Sequence, residues 1–296
     1  ILGIVGVQVC ICVPIIVFQF CRGKEFFSKE YWGYALRIGI PIVPHYLSGI
    51  ILNQGDRIMI DKMVGKTEVA LYGLAYSIGM LVQLFISGMN SALTPWMYSK
   101  IKKGDICSMR KVLQLLSIVV VGIAVALMLI SPELVLIFGS PKYREAVYVI
   151  PPVAASVFFI FIYNILSMPQ FYYEKTQFLM AASMAAAGAN VVLNFIFIRL
   201  FGYIAAGYTT LACYMLYSVG HYIVSKRILV NEGIQENLMS PGFLVACSVF
   251  LIGASIICNL IFPYRILRYA ILLASAGLVF WKKELLLKTM ADIRKK

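Results

Sequence analysis

Charged side chains are scarce in this 296-residue sequence. Aspartate, glutamate, lysine and arginine together make up 13% of the residues, against about a quarter in an ordinary soluble domain. Hydrophobic residues make up 61%, and the mean hydropathy is +0.87. This balance excludes a soluble enzyme, a nucleic-acid-binding protein and a disordered chain.

Motifs for metal, cofactor or nucleotide binding are also lacking. Most of the seven cysteines stand in apolar segments, and none forms a CxxC pair or a Cys/His pair at metal-ligand spacing. No Walker sequence is present, so we expect neither an ATPase site nor a bound cofactor or metal. The chain begins at Ile1 inside an apolar run, without an initiator methionine. From this we expect a fragment that lacks an N-terminal part.

Apolar segments of roughly 20 residues, the length that crosses a bilayer, dominate what is there. They predict an all-α integral membrane protein with about nine transmembrane helices and brief loops. The short loops leave no room for an extramembrane catalytic domain, so we do not expect an enzyme. The predicted segments are 1–21, 33–52, 70–94, 112–131, 145–168, 177–198, 204–224, 241–260 and 265–281.

Lysine and arginine are unevenly shared between the two sides of these segments. The loop around 100–111 and the tail 282–296 lie on the same side and carry most of the excess of +13. By the positive-inside rule this side is cytoplasmic. The sequence therefore predicts a multi-pass membrane protein with a cytoplasmic C-terminus.

Polar residues recur at helical spacing within three of the segments. In 70–94 they fall within an arc of about 80°, which favours a wall of a wet cavity over simple helix packing. A stripe in 177–198 is more typical of packing between helices, and the almost wholly aliphatic segment 112–131 is expected to face lipid. The three stripes are Tyr72, Tyr76, Gly79, Gln83, Ser87, Asn90 and Thr94; Ser183, Ala187, Asn190 and Asn194; and Thr210, Tyr214, Tyr217 and His221.

The second segment combines a cation with two prolines. Arg37, His45, Ser48 and Asp56 fall with the two prolines within an arc of about 120° on one helix face. We predict that Arg37 binds an anion in the cavity, and snorkelling to the membrane surface is the alternative. Pro41 and Pro44 remove two backbone donors from the helix, so we predict flex points there. The cavity candidates are Arg37, His45, Ser48, Tyr72, Tyr76, Gln83, Ser87, Asn90, Tyr214 and Tyr217.

Carboxylates are expected only in loops or at helix ends, with Asp56, Glu133 and Glu174 nearest the membrane. A pump for organic cations normally needs a buried carboxylate. The predicted cavity, with an arginine and hydroxyl groups, instead matches a phosphate-bearing substrate.

One stretch resembles a known family. Residues 53–76 run Asn-Gln-Gly-Asp-Arg and continue to Tyr-Gly-Leu-Ala-Tyr, with Asp56, Arg57, Gly65, Tyr72 and Ala75 as the family-like positions. Residues 132–139, Pro-Glu-Leu-Val-Leu-Ile-Phe-Gly, look similar too. Both resemble the C-terminal half of bacterial polysaccharide (O-antigen/capsule) repeat-unit flippases. These flippases belong to the multidrug/oligosaccharidyl-lipid/polysaccharide exporter superfamily.

The resemblance implies a two-lobe alternating-access transporter, of which this chain is the C-terminal lobe. Residues 1–22 would be the last helix of the missing N-terminal lobe, 23–230 the six-helix lobe, and 231–296 two additional helices and the basic tail. The implied substrate is an undecaprenyl-pyrophosphate-linked oligosaccharide. The expected surroundings are membrane lipids, and further partners would be a polysaccharide polymerase and chain-length machinery.

Other functions stay open at this point. Within the same superfamily, a multidrug/cation antiporter and a peptidoglycan-precursor flippase are alternatives. A membrane-embedded sugar polymerase is a further alternative, but such enzymes tend to carry a long outer loop with catalytic residues.

Overall fold

The computed structural model describes residues 2–24 and 27–281, and this part of the chain is helical, without strands. The prediction of an all-α membrane protein is confirmed. The helices are α1 (Leu2–Gly23), α2 (Lys29–Met63), α3 (Lys66–Gly79), α4 (Leu81–Lys103), α5 (Ile106–Phe138), a 3₁₀ helix (Pro141–Val149), α6 (Ile150–Tyr172), α7 (Thr176–Phe201), α8 (Ile204–Asn231), α9 (Pro241–Ile261) and α10 (Arg265–Trp281).

Seven helical segments of the described chain are long and apolar enough to cross a membrane. All nine predicted segments lie on helices, but α8 and α10 are not among these seven. The predicted basic tail 282–296 lies outside the described residues. The seven segments are Val5–Gly23, Lys29–Met63, Lys66–Lys103, Ile106–Phe138, Pro141–Tyr172, Thr176–Phe201 and Pro241–Ile261.

The chain divides into two compact units, Ile1–Pro41 and Ile42–Lys296. The first holds α1, whose described side chains are exposed on every face, and the start of α2. In the second unit α6 is central, because most of its residues are buried and α3, α4, α5, α8 and α9 pack on it. The most extensive packing joins α6 to α8 and α7 to α8.

The segment predicted as one helix over 70–94 is broken in two. Helix α3 ends at Gly79 and α4 begins at Leu81. Gly79 is buried against α6, where an added Cβ would lie only 2.7 Å from Cγ1 of Val153. The close approach of α3 and α6 therefore needs a glycine, which also weakens the helix at this point.

The turn between α4 and α5 is held by local polar contacts. Gly104 ends α4 in the left-handed conformation, with φ of 69°, and Asp105 caps α5 by accepting from the backbone N–H of Ser108. Lys100 Nζ lies 2.5 Å from Asp105 Oδ2. Hydrogen bonds from Lys100 and Ser108 lower the pKa of Asp105 to about 2. The predicted loop near 104 thus has a defined structure.

Segment 112–131, which was expected to face lipid, has one buried face and also leaves side chains such as Ile118 exposed. Helix α5 packs against α6 and buries a broad face that includes Leu113, Val120, Ala124 and Met128. Aliphatic side chains suit a protein core as well as they suit lipid, so composition alone does not separate the two environments.

The expectation about carboxylates is wrong at two positions. Asp56 lies within α2 and is 0% exposed. Glu133 lies within α5 and pairs with Arg268 of α10, with two N–O distances of 2.8 Å. Arg268 is buried and also donates to the backbone oxygen of Leu129. The ion pair between Glu133 and Arg268 makes these two charges tolerable inside the bundle.

Candidate functional site

Asp56 is the most deeply buried acid of the described chain and has three hydrogen-bond donors around it. Tyr72 of α3 donates to Oδ2 at 2.5 Å, and Thr210 of α8 donates to the same oxygen at 2.7 Å. Asn194 of α7 donates to Oδ1 at 2.5 Å. The ion pairs formed by the described residues do not include Asp56. Three neutral donors from three helices therefore replace the hydration of this carboxylate.

Further polar groups extend the contacts of Asn194. Its Nδ2 also donates to Asn190 Oδ1 at 3.1 Å, one turn earlier on α7. Its Oδ1 accepts a hydrogen bond from the hydroxyl of Thr209, beside Thr210 on α8. Asn190, Asn194 and Thr210 are all fully buried. Helices α7 and α8 are thus joined by amide and hydroxyl groups at this level.

One turn before Asp56, Asn53 forms the next polar layer. Its Oδ1 accepts from the hydroxyl of Tyr76 at 2.7 Å and from the hydroxyl of Tyr214 at 3.3 Å. Both tyrosines are buried, and the ring of Tyr163 stacks parallel to Tyr214 with centroids 6.2 Å apart. This layer joins α2 to α3 and α8.

His45 forms a third layer, eight residues before Asn53. Its Nδ1 lies 2.7 Å from Ser183 Oγ of α7 and 3.0 Å from the hydroxyl of Tyr217 of α8. On a helix that rises about 1.5 Å per residue, His45 and Asp56 are about 16 Å apart. The three layers therefore cover more than half of the hydrocarbon thickness of about 30 Å.

We call these three layers the polar column. They arise because His45, Asn53 and Asp56 share one face of α2, and because tyrosine, serine, asparagine and threonine recur at steps of three or four on the partner helices. The polar column consists of His45, Asn53, Asp56, Tyr72, Tyr76, Ser183, Asn190, Asn194, Thr210, Tyr214 and Tyr217.

Five of the predicted cavity residues enter the polar column. These five are His45, Tyr72, Tyr76, Tyr214 and Tyr217. Ser48 is also buried, but its hydroxyl donates to the backbone oxygen of Pro44 at 2.7 Å. This hydrogen bond lies within α2 and does not join another helix. The side chains of the column bond mainly to one another.

The other predicted residues lie elsewhere. Gln83 and Asn90 of α4 are half-buried and Ser87 is exposed, because the break after Gly79 separates them from Tyr72 and Tyr76. Arg37 is exposed on α2 and, with Pro41, belongs to the unit Ile1–Pro41. The cavity role of all these residues stays a prediction.

The family-like positions have clear structural roles. Ala75 is fully buried, and the guanidinium of Arg57 lies over the ring of Tyr76 at 5.2 Å. Gly65 precedes α3 with φ of 154°, where an added Cβ would meet Glu68 Oε2 at 2.8 Å. Only glycine adopts this backbone without strain.

The sequence places Asp56 on the face of α2 that carries His45, but it predicts Asp56 near a helix end and assigns no cavity role to Asn53. It favours helix packing for the stripe Ser183–Asn194, whose polar side chains belong to the polar column. The predicted segment ends at residue 52, whereas α2 continues to Met63 and Asp56 is buried.

Comparisons with known proteins find similarity to polysaccharide biosynthesis proteins. Residues 4–101, which include nearly all of α1, α2, α3 and most of α4, match the family model for polysaccharide biosynthesis proteins. The chain is also similar to a protein of the Lsg locus of Haemophilus influenzae, with 28% identity over 171 residues. These matches show similarity over part of the chain.

A second relative is an uncharacterized membrane protein of Haemophilus influenzae, 28% identical over 166 residues. The two alignments cover 54% and 53% of this chain and 41% and 40% of the relatives, so the chain spans about two fifths of the proteins it matches. No solved structure matches the chain significantly. Membrane proteins of polysaccharide biosynthesis families are typically transporters, and a membrane location agrees with the helices described above.

Proposed function

We propose that this protein moves oligosaccharides linked to undecaprenyl pyrophosphate across the bacterial inner membrane, for surface polysaccharide synthesis. The observation that carries the proposal is the polar column, which lies in a helical bundle whose residues 4–101 match polysaccharide biosynthesis proteins. Hydrogen bonds between membrane helices typically stabilise by about 0.6 to 2 kcal/mol each. Helices joined by several such bonds can exchange partners during a transition between inward-open and outward-open states.

Arg37 is the proposed contact for the pyrophosphate. Its side chain is exposed on a membrane helix, and a guanidinium offers paired donors that match phosphate oxygens. The polyprenyl tail would stay in lipid while the sugar and the pyrophosphate pass through a polar cavity. Export of negative charge is favoured by the inside-negative potential, by about 2.3 kcal/mol per charge per 100 mV.

The proposed location is the inner membrane, with the C-terminus in the cytoplasm. The proposed partners are a polysaccharide polymerase and chain-length machinery. Reporter fusions after Lys296 test the orientation. A fluorescent protein that folds only in the cytoplasm should be bright, and alkaline phosphatase should be inactive. The reverse pattern would contradict the orientation.

The substrate is tested by complementation. The full-length gene is expressed in a strain that lacks its own repeat-unit flippase, and surface polysaccharide is measured for wild type, Arg37→Ala, Arg37→Lys and Arg22→Ala. We expect rescue by wild type and by Arg22→Ala, which removes an exposed arginine from the end of α1. Loss in Arg37→Ala with partial recovery in Arg37→Lys would support the anion contact.

Other outcomes have distinct meanings. Rescue by all variants keeps the export function and rejects Arg37 as the pyrophosphate contact. A wild-type protein that reaches the membrane and fails with several repeat-unit substrates contradicts the proposed export.

The burial of Asp56 favours a second candidate function, that of a multidrug/cation antiporter of the same superfamily. A fully buried carboxylate without an ion pair in the described chain is the feature such a transporter needs. Drug-efflux assays on wild type, Asp56→Asn and Asp61→Asn test it, since Asp61 is an exposed acid of the same helix. Efflux that is lost only in Asp56→Asn would favour the antiporter, and absence of efflux in wild type would reject it.

A further inference from the structure

An apolar groove lies between α8 and α9. Both helices pack on α6 but make little contact with each other, so α6 forms the floor of the groove through Phe158, Phe159 and Ile162. Val219 of α8 and Val245 of α9 are among the residues of the two walls. The groove has a volume of about 170 Å³, and an apolar cavity of about 150 Å³ is already large enough to bind benzene.

Two serines that line this groove do not make it polar. The hydroxyl of Ser218 donates to the backbone oxygens of Phe159 and Tyr214, both at 2.9 Å. The hydroxyl of Ser248 donates to the backbone oxygen of Leu244 at 2.7 Å. Because their protons are already used within the protein, the groove suits a hydrocarbon chain better than a polar solute.

At one end the groove meets a basic pocket of about 520 Å³. Tyr222 lines both the groove and this pocket. The pocket is also lined by Lys226 and Arg227, which are exposed, and by the apolar side chains of Ile223 and Val230. The ion pairs formed by the described residues include neither Lys226 nor Arg227. Both cations are therefore available to an anionic group.

Acidic residues near this pocket do not cancel its charge. Glu232 and Glu236 follow on the connection to α9, and Glu236 pairs with Arg110 at 3.7 Å. Arg110 also donates to the backbone oxygen of Asn237 at 2.7 Å. Residues 226–236 together with Arg110 carry three basic and two acidic side chains. This end of α8 therefore keeps a net positive charge.

We propose that this surface binds an anionic phospholipid of the membrane, with the phosphate at Lys226 and Arg227 and one acyl chain in the groove. Basic pockets at the cytoplasmic ends of membrane helices bind acidic lipid headgroups, and a guanidinium offers paired donors to phosphate oxygens. The loop charges predict that this end of α8 is cytoplasmic. Tyr222 suits the junction, because it combines an apolar ring with a hydroxyl that hydrogen-bonds at headgroup level.

This lipid site lies on the side of α8 away from the polar column. At 100° per residue, Met215, Val219 and Tyr222 are about 140° around the helix from Tyr214 and Tyr217. A lipid bound here stays in contact with the bilayer and does not enter the route proposed for the sugar. The position favours a resident phospholipid over the transported lipid, and the proposal does not depend on which substrate the protein moves.

Native mass spectrometry tests the charge of the site. The full-length protein in detergent micelles is titrated with phosphatidylglycerol or with phosphatidylcholine of the same acyl chains, and we expect phosphatidylglycerol to bind more tightly. Each lysine or arginine near an anionic lipid surface adds about fivefold in affinity. The double variant Lys226→Gln/Arg227→Gln should therefore bind phosphatidylglycerol about 30-fold more weakly.

Arg144→Gln is the matched control for charge. Arg144 is also exposed and lines a surface pocket, but Glu145 lines the same pocket. This variant should bind phosphatidylglycerol as the wild type does. Equal affinity of the wild type for the two lipids would overturn the proposal, and so would unchanged phosphatidylglycerol binding in the double variant.

Val245→Trp tests the groove. The larger side chain fills the place of the acyl chain, and each buried CH₂ group contributes about fourfold to affinity. We expect phosphatidylglycerol binding to weaken by about tenfold or more. Val249→Trp, one turn further along α9 and outside the groove lining, should have no effect; both valines are exposed, so neither change disturbs the core. Unchanged binding in Val245→Trp would reject the groove as the chain site.

Competition identifies the ligand. Glycerol phosphate, which has no acyl chain, and undecaprenyl phosphate are each added at the concentration of phosphatidylglycerol, and neither should displace it. Displacement by glycerol phosphate would show an anion site without a lipid chain. Displacement by undecaprenyl phosphate would assign the site to the polyprenyl lipid. Either result would overturn the proposal.

Discussion

At the scale of single residues, the burial of Asp56 is the costliest feature of the bundle. A carboxylate taken out of water loses its hydration, and hydrogen bonds to the charged group recover about 1.5–3 kcal/mol each. Tyr72, Thr210 and Asn194 supply three of them. Their positions on three different helices make the local fold depend on one acid.

Tyr72→Phe tests this dependence. The variant keeps the ring in its buried position and removes one donor to Asp56, so we expect unfolding free energy to fall by about 1–3 kcal/mol. Thermal unfolding in lipid nanodiscs measures the change. Tyr264→Phe, at an exposed tyrosine, is the control and should leave the midpoint unchanged; an equal midpoint for both variants would show that the Tyr72 hydroxyl contributes nothing.

The contact of Gly79 with Val153 gives a second residue-scale prediction. Gly79→Ala places a Cβ 2.7 Å from Val153 Cγ1, and overpacking of this kind costs about 1–3 kcal/mol. Adding Val153→Ala should recover part of the loss, and unfolding curves of the single and double variants measure it. Gly88→Ala, where no atom lies within 4 Å, should not destabilise; if it behaves like Gly79→Ala, helix geometry rather than the contact is responsible.

At the scale of helices, α10 is tied to α5 by an ion pair. Arg268 forms two hydrogen bonds with Glu133 and a third with the backbone oxygen of Leu129, and Tyr269 also donates to Glu133 at 3.0 Å. The side chains of Ile266 and Leu273, also on α10, are exposed. The position of α10 therefore depends in part on this ion pair.

Arg268→Ala should release α10. Removing one partner of a buried pair costs about 3–5 kcal/mol, and we expect the lower end because the Glu133 side chain is 26% exposed. Limited proteolysis after α9 and thermal unfolding both report the change. Arg265→Ala, at an exposed arginine of the same helix, should behave as wild type. Equal proteolysis of the two variants would contradict the role of the pair.

At the scale of the whole molecule, α2 carries many of the residues on which the functional predictions depend. It carries Arg37, the two prolines, and the three α2 residues of the polar column. The boundary between the two compact units falls within it, after Pro41. Both predicted flex points, Pro41 and Pro44, therefore lie at or close to this boundary.

Replacing Pro41 and Pro44 together with alanine should lower transport. Alanine restores the two missing backbone donors and stiffens the helix, so we expect reduced surface polysaccharide at equal protein levels in the complementation strain. Pro132→Ala, at a proline inside α5, is the control and should retain transport. Unchanged transport in the double variant would remove the flex-point hypothesis.

The sequence by itself determined that this is an all-α membrane protein. Apolar length and scarce charge predict membrane helices wherever they occur, because the bilayer imposes the same length and composition on every spanning helix. The periodicity of Tyr72 and Tyr76, and of Tyr214 and Tyr217, also identified polar faces correctly. A polar face needs only helical spacing, which a sequence displays directly.

Only the tertiary structure decided what these faces contact. The burial of Asp56 depends on donors from α3, α7 and α8, and the pairing of Glu133 with Arg268 joins residues 135 positions apart. The break after Gly79 depends on the shape of α6. A charged or small residue is tolerated in a bundle according to the partners that packing brings to it, and that information lies in no single segment of the chain.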